Sequence, residues 1–464
     1  MATQALGNAN LNVGFEETLF VSTETTLGTA SAVAAGDAVK HLSLKLGYKI
    51  DEKWIEEKAA HRGVEATIEG RGSGEWSLDA HLRPGTAAGA PPDLDALLAC
   101  IFPTGHEIGA SAIQASPTPT ALQFDVDSAA DMADDDLLLI PLAAGGRVVR
   151  LEVTSNTLAV SPGLPTAPAG TETPGAGYTY RLTTKPVGSV TIARKGSFFA
   201  EWAGGCWVNK LTLKFSGSEE PRVTLEGGYT DKAYAHDDTL AAAIVTTDGV
   251  AMTVTNPYKF RASTTCPAYV QIDDEVIKIT SVNTTTGVCV IARAQYSTSA
   301  ATHLDEAAIT AYCPTPSYTT VAPLSGLAGK IRFADTALAG LDLSVASVEI
   351  SIDNKCKAIN GPYGTSIPQG YITGEKREVS AKIDLYYSSD QAEQYGKAFA
   401  RSEFLDVVAQ CGDVAAACMA ACIPKLHCAN PSNEASGAEE IMVSLEGRAL
   451  ADSTGNDELI LAFF

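Results

Sequence analysis

Cysteine and histidine, the residue types that bind zinc, come together once in the sequence, close to the carboxyl terminus. The group consists of Cys411, Cys418, Cys422, His427 and Cys428. Thiolate and imidazole groups suit zinc, but these spacings match none of the common zinc patterns. The alanines between the cysteines predict a packing helix of small residues, with Cys418 and Cys422 on one face. Buried thiols are therefore expected, with a zinc site or a disulfide as alternatives, and we predict neither a metal nor another cofactor.

Two runs of carboxylates, at residues 131–136 and 273–275, are candidate calcium ligands. Neither has the spaced Asp, Gly and Glu pattern of a dedicated calcium loop, so solvated turns are the expected structure. The glycine-rich segment 70–74 joins two strand-like segments rather than a strand and a helix. It therefore predicts a hairpin turn and not a phosphate-binding loop.

Motifs for catalysis are missing from the sequence. The seven histidines are dispersed, and no His-x-Glu, His-Glu-x-x-His or Gly-x-Ser-x-Gly pattern occurs. We therefore predict that the protein is not an enzyme.

Length and charge exclude further classes of function. The chain has 464 residues, about three typical domain lengths, and a formal net charge of -22 that disfavours a surface built to grip nucleic-acid phosphates. No apolar run approaches the roughly 18 residues of a membrane span, and the amino terminus lacks a signal-peptide pattern. We expect a chain made in the cytoplasm, with no membrane partner and with all ten cysteines as free thiols.

Alternating apolar and polar residues predict strands in most of the chain. Around residues 64–68 and 76–82, the alternation places apolar side chains on one face and acidic ones on the other. Residues 85–102 predict a short helix that buries its leucines. A second helix is predicted from a cap at Ser388 through about Phe399.

Matching patterns indicate an internal duplication. Strands at 189–193 and 207–215 match strands at 329–333 and 345–352. Two other stretches, 112–183 and 237–313, are predicted as small all-β modules. The predicted fold class is thus mainly β, with two larger units, at residues 1–111 plus 184–236 and at residues 314–464.

Two sets of motifs resemble the tail tube proteins of bacteriophages with long, non-contractile tails. The first set runs through Glu24-Thr25-Thr26-Leu27-Gly28-Thr29, Arg62-Gly63-Val64, Gly74-Glu75-Trp76-Ser77-Leu78, Leu82-Arg83-Pro84-Gly85 and Ala90-Pro91-Pro92-Asp93-Leu94. The second set consists of Gly374-Glu375-Lys376-Arg377-Glu378-Val379-Ser380 and Gly455-Asn456-Asp457-Glu458-Leu459. The order of the motifs and the duplication both strengthen the resemblance.

The resemblance implies duplicated tail-tube β-sandwich or barrel domains with short flanking α-helices, whose inner strands join neighbouring copies into a barrel around a lumen. Chains with two such domains form trimeric rings that mimic a hexamer, and hexameric rings are the alternative. The implied partners are further copies stacked as rings, the tape measure protein, and the tail terminator and distal tail proteins. The implied location is the virion tail, after assembly in the host cytoplasm.

An acidic lumen would repel DNA phosphates, so double-stranded DNA would pass through the tube without specific binding. The candidate lining residues are Glu65, Glu69, Glu75, Asp79, Glu349 and Asp384. Ordinary solvated strand faces are the alternative for each of them. The two small modules are expected outside the tube, because inside they would block the path of the DNA.

Two other functions remain as alternatives. A capsid-surface or baseplate and tail-tip structural protein would use the small β modules for binding. A secreted polysaccharide-binding or hydrolytic β protein is disfavoured, because the sequence lacks a signal peptide and a paired-carboxylate motif.

Overall fold

The computed structural model describes residues 16–55, 66–182, 185–186, 188–217, 219–335, 338–343, 345–360, 364, 367–386, 404–428, 432–434, 441–451 and 457–464. The protein is mainly β, since 51% of the described residues lie in strands and 4% lie in helices. The predicted fold class is therefore confirmed at this level. The helix predicted at 388–399 lies outside the described residues.

The first half begins with β1 (Thr18–Thr23), β2 (Ala38–Val39), β3 (Ser43–Ile55), β4 (Ala66–His81), helix α1 (Asp95–Ile101) and β5 (Thr104–Ile108). Strands β6 (Gln123–Asp125), β7 (Leu137–Ile140), β8 (Arg147–Thr154) and β9 (Thr157–Ser161) follow. The half continues with β10 (Gly177–Arg181), β11 (Val190–Lys195), β12 (Phe199–Ser216), β13 (Arg222–Tyr229) and β14 (Asp231–His236).

Next come β15 (Asp238–Thr239), β16 (Ala251–Thr253), β17 (Phe260–Arg261), β18 (Ala268–Ile272), β19 (Glu275–Val282), β20 (Val288–Gln295) and β21 (Ala308–Ala311). The second half has β22 (Lys330–Asp335), β23 (Leu338–Leu343), β24 (Val345–Asp353), β25 (Cys356–Ala358), β26 (Tyr371–Thr373) and β27 (Glu378–Tyr386). It ends with β28 (Leu405–Cys411), β29 (Met419–Cys428), β30 (Ser432–Glu434), β31 (Met442–Ala449) and β32 (Ile460–Phe463). Single 3-10 turns span Ala35–Asp37, Pro257–Lys259 and Gly326–Ala328.

Helix α1 confirms the first helix prediction. Its apolar stripe, which includes Leu97 and Leu98, is fully buried, and Asp95 lies in its first turn where the helix dipole favours a carboxylate. The side chains of this stripe pack into the main core of the molecule.

The hairpin turn predicted at residues 70–74 is wrong, because β4 runs straight through this segment and pairs along its length with β3. The glycines make room for two tyrosines. A Cβ atom on Gly72 would lie 1.9 Å from the hydroxyl of Tyr48, and one on Gly74 would lie 2.2 Å from the ring of Tyr229. The two rings stack with their centroids 6.3 Å apart, so small residues are needed for close approach and not for a turn.

One continuous antiparallel sheet joins both halves of the chain. Its strand order is β3-β4-β13-β12-β24-β27-β31-β30, and we call it the polar sheet because one of its faces carries exposed polar side chains. The halves meet where β12 pairs with β24, with Leu211 opposite Ile352 and Lys214 opposite Glu349. The apolar face of the polar sheet is buried in the main core.

Two backing sheets cover this apolar face. The first has the order β2-β1-β11-β12-β14-β17, and the second has the order β23-β22-β28-β29-β32-β10-β5. Strands β12 and β29 each continue from a backing sheet into the polar sheet, so each half is a β-sandwich with a strand shared between its layers.

The two small β modules pack on the far faces of the backing sheets. The second module, a sheet of order β15-β21-β18-β19-β20-β16, shares a core with Phe20 and Trp202 of the first backing sheet. Trp202 is 1% exposed. The first module, of order β6-β9-β8-β7, covers Val408, Cys422 and Ile460 of the second backing sheet. Both modules therefore lie on the side of the molecule opposite the polar face.

Buried polar groups hold the first module in place. The Gln410 side chain accepts a hydrogen bond from the backbone N–H of Val148 at 2.8 Å and donates to the carbonyl of Gly146 at 3.0 Å. Asp406 accepts from Ser161 at 2.6 Å and pairs with Arg150 at 3.2 Å. Because buried polar groups without such partners are costly, this contact specifies one orientation of the module.

The small sheets fall inside the ranges predicted for the two modules, 112–183 and 237–313. Each range also contains one strand that does not belong to its module. Strand β10 pairs with β5 and β32 in the second backing sheet, and β17 pairs with β14 in the first. The second half therefore takes strands from the first half to complete its backing sheet.

Strand pairing reveals a duplication with a different correspondence from the one predicted. The pairs β1–β11, β3–β4, β4–β13, β11–β12 and β12–β14 of the first half recur as β22–β28, β24–β27, β27–β31, β28–β29 and β29–β32. Strand β24 thus corresponds to β3 and not to β12. The sequence supports this, because residues 216–227 and 436–447 share the ungapped pattern Ser-Gly-x-Glu-Glu-x-x-Val-Thr/Ser-Leu-Glu-Gly.

We expect Gly74→Ala to destabilise the protein by about 2 kcal/mol, because the added methyl group would overlap the Tyr229 ring. Gly36→Ala is the matched control, since a Cβ atom there has no neighbour within 4 Å among the described residues. Urea unfolding followed by fluorescence measures both. Equal stabilities of the two variants would contradict the tyrosine-packing explanation.

Candidate assembly surface

The polar face brings together four of the six residues predicted to line a lumen. Glu75 and Asp79 of β4, Glu349 of β24 and Asp384 of β27 all lie on it, as the pairing registers and the burial of their neighbours show. Glu69 lies farther along β4, opposite Glu52, beyond a register shift. Glu65 lies outside the described residues.

Asp79 and Asp384 occupy equivalent places in the duplicated halves. Ser43 donates a hydrogen bond to Asp79 at 2.8 Å, and Ser347 donates one to Asp384 at 2.7 Å. Each serine precedes its aspartate on the neighbouring strand of a hairpin, β3–β4 in one half and β24–β27 in the other. Because the same bond occurs at the same place in both hairpins, the two hairpins can be aligned residue by residue.

Cations alternate with the carboxylates on this face. Lys214 lies 3.1 Å from Glu349, and Lys382 lies 3.7 Å from Glu446. Lys355, from the loop after β24, lies 2.7 Å from Asp353. Burial alone would raise the pKa of Asp353, but the hydrogen bonds and charge of Lys355 outweigh it and hold this pKa below its ordinary value.

The described part of the polar face is therefore mixed in charge rather than uniformly acidic. Its carboxylates are Glu75, Asp79, Glu226, Glu349, Asp353, Glu378, Asp384 and Glu446, and its cations include Lys45, Lys49, Lys210, Lys214, Arg222, Lys382 and Arg448. Most of the chain's net negative charge consequently lies elsewhere. That these carboxylates line an acidic lumen stays a prediction.

The polar sheet has two free edges among the described strands. Strand β3 pairs with β4 alone, and β30 pairs with β31 alone. The far end of the β3–β4 hairpin exposes large apolar side chains, with Trp54 62% and Ile68 56% exposed. Free strand edges and exposed apolar side chains are liabilities for a monomer but suit a protein that pairs with further copies.

The helix predicted around the cysteine cluster is wrong. The alanines at 415–417 lie in the turn after β28, and Ala420 and Ala421 lie in β29, which pairs with β28. Cys418 and Cys422 face the first module, whereas Cys411 and Cys428 face the main core. Small side chains suit this strand because layers pack against both of its faces. All ten cysteines are free thiols, and burial raises the pKa of Cys411 to about 12. In the described part of the chain, no group of three or more His, Cys, Asp or Glu side chains could hold a metal ion.

The carboxylate runs are not simply solvated turns. Asp136 is fully buried, where it binds Arg181 and lies 3.2 Å from His106. In the other run, Asp273 is exposed but Glu275 is buried beneath it. This difference cannot be predicted from the local sequence, since the cationic partners lie 18 or more residues away along the chain.

A compact ionic network surrounds Glu275 in the second module. Arg293 donates to its carboxylate through Nε at 2.7 Å, and His303 Nε2 lies 2.9 Å from it. The other ring nitrogen of His303 lies 2.8 Å from Asp273. Burial alone would raise the pKa of Glu275, but the hydrogen bonds from Arg293, Ala301 and His303 outweigh it and lower this pKa to about 2. These groups satisfy one another and hold the ends of the module's strands together.

We expect Glu275→Gln to destabilise the protein by about 3 kcal/mol near pH 7, because it leaves Arg293 buried without its counter-charge. The lowered pKa means that the carboxylate contributes stability above pH 4.5, and that this contribution is lost as the pH falls toward 2. Urea unfolding at a series of pH values measures both effects. Glu306→Gln, an exposed position in the same module, is the control, and equal behaviour of the two variants would contradict the role of the network.

No helix in the described ranges is long and apolar enough to cross a membrane. No family model matches the sequence, and no curated protein matches it. Strand pairing and charge on the polar sheet are consequently the features on which a function can be argued.

Proposed function

We propose that the protein is the subunit of a bacteriophage tail tube of the long, non-contractile type, and that three copies close into a ring that stacks on further rings. The observation that carries this proposal is the pairing of β12 with β24 inside one chain. The resemblance of the sequence motifs to tail tube proteins is a second, independent support.

The pairing of β12 with β24, which we call the internal seam, joins the two halves head to tail. In the first half β12 is the last strand of its part of the polar sheet, and in the second half β24 corresponds to the first strand, β3. In the described polar sheet, the first strand, β3, and the last strand, β30, therefore each keep one edge without a neighbouring strand. When it is repeated between copies, a head-to-tail contact of this kind closes into a ring if the rotations between successive copies add up to a full turn.

Three copies would then supply six equivalent halves, as in the pseudo-hexameric ring that the resemblance implies. Each copy would contribute the eight described strands of its polar sheet to the inner wall. A ring of six whole chains is the alternative, with twice as many strands and a wider bore.

The polar face suits a wall past which DNA moves without being held. Lysines such as Lys214 and Lys382 lie beside carboxylates, so a phosphate would have to compete with an existing partner. Both small modules lie on the opposite side, where they leave the bore free. The tape measure protein would occupy the bore before DNA does, and terminator and distal tail proteins would contact the ends of the tube.

Electron microscopy of the purified protein at high concentration tests the proposal. We expect rings with threefold symmetry and stacks of such rings. Discrete oligomers that never stack would favour the capsid-surface or baseplate alternative. A monomer at every concentration would contradict ring assembly.

In phage that carry Glu75→Lys together with Glu226→Lys, we expect tubes of normal appearance but slower DNA ejection. Both carboxylates are exposed on the polar face, so the change replaces repulsion of phosphates by attraction. The control is Asp305→Lys with Glu306→Lys, which alters the net charge equally on the second module. Ejection kinetics measured by a DNA-binding dye check this, and equal rates in both variants would contradict a lumenal polar face.

A further inference from the structure

We propose that neighbouring copies join by antiparallel pairing of β3 with β30 in the register of the internal β12–β24 seam, and that the charges across this junction are reversed in sign relative to the internal one. The inference rests on the proposed ring, and it deepens it by naming the two edges and the residues that select each other.

The position of Glu434 follows from the sequence repeat. Residues 216–227 and 436–447 align without a gap, and the registers of β12–β13 and β30–β31 agree with this alignment. Lys214 lies opposite Arg222, and Glu434 lies opposite Met442, the equivalent of Arg222. Glu434 therefore occupies the place of Lys214.

The position of Lys45 follows from the repeated serine–aspartate bond. Ser43 and Ser347 are equivalent because each donates to the aspartate of the paired strand. Two residues farther along, Lys45 in β3 corresponds to Glu349 in β24. Lys45 is exposed on the polar face.

A junction with the internal register thus places Lys45 of one copy opposite Glu434 of the next. Inside the chain the same position holds Lys214 on the last strand and Glu349 on the first, 3.1 Å apart. Between copies the last strand carries the acid and the first strand carries the lysine. Both contacts therefore pair a lysine with a glutamate, but the two charges have exchanged strands.

The inversion discriminates between correct and incorrect strand pairs. If β12 paired with a β3 edge, Lys214 would face Lys45, and if β30 paired with β24, Glu434 would face Glu349. Like charges directly opposite each other are destabilising in a sheet. The charges therefore favour β24 over β30 as the partner of β12 when the chain folds, and leave β30 and β3 to pair with each other between copies.

Charge reversal tests the pairing. We expect Lys45→Glu and Glu434→Lys each to raise the protein concentration needed for half-maximal assembly by at least about tenfold, and the double variant to restore it to within about threefold of the original value. Lys214→Glu is the matched control, since it alters the internal seam and is expected to affect unfolding more than assembly. Single variants that assemble normally, or a double variant no better than the singles, would overturn the inference.

Cross-linking separates this inference from the proposed function. In the variant Lys45→Cys with Glu434→Cys, oxidation after assembly is expected to link copies into covalent dimers and closed trimers. Lys45→Cys with Lys214→Cys is expected to give none. Nine of the ten native thiols are buried and give little background, and the partly buried Cys356 is replaced by serine in both variants. Rings without the expected links would overturn the seam but not the ring, whereas an original protein that never self-associates would overturn both.

Discussion

The architecture depends on one stretch of backbone pairing, in which β12 of the first half and β24 of the second half form adjacent strands of a single sheet. This seam places the two polar faces side by side and merges the two apolar faces into one core. It also leaves unlike edges at the two ends of the sheet. A chain with unlike edges favours repetition of the same contact with further copies, because pairing removes the exposed backbone groups.

The packing of sheets in layers then determines where the backing sheets and the two small modules lie. Sheets with apolar residues on both faces need a cover on each side, and the small modules provide the second cover for the backing sheets. The modules are therefore integral parts of each half rather than loosely attached decorations. Removal of the second module would expose Trp202 and Phe20, which lie in the core that it shares with the first backing sheet.

Structural features that depend on residues close in sequence were predicted correctly from local patterns. Spacing alone predicted the buried leucine stripe of α1 and the polar strand face that carries Glu75 and Asp79. The turn predicted at segment 70–74 is wrong because its glycines make room for Tyr48 and Tyr229, which come from other strands. The alanine-rich strand β29 was misread because a second layer of packing does not show in the sequence. The correct repeat is present in the sequence as residues 216–227 and 436–447, but strand alternation alone fits a different match equally well.

In the proposed tube, the contact inside the chain is repeated between chains. A cryo-electron microscopy map of the assembled protein tests it most directly, because it shows the symmetry of the ring and the order of strands around the inner wall. We expect threefold rings in which internal seams alternate with junctions of β3 and β30. A ring in which two copies meet through the same edge of each, or in which the polar face is turned outward, would contradict it.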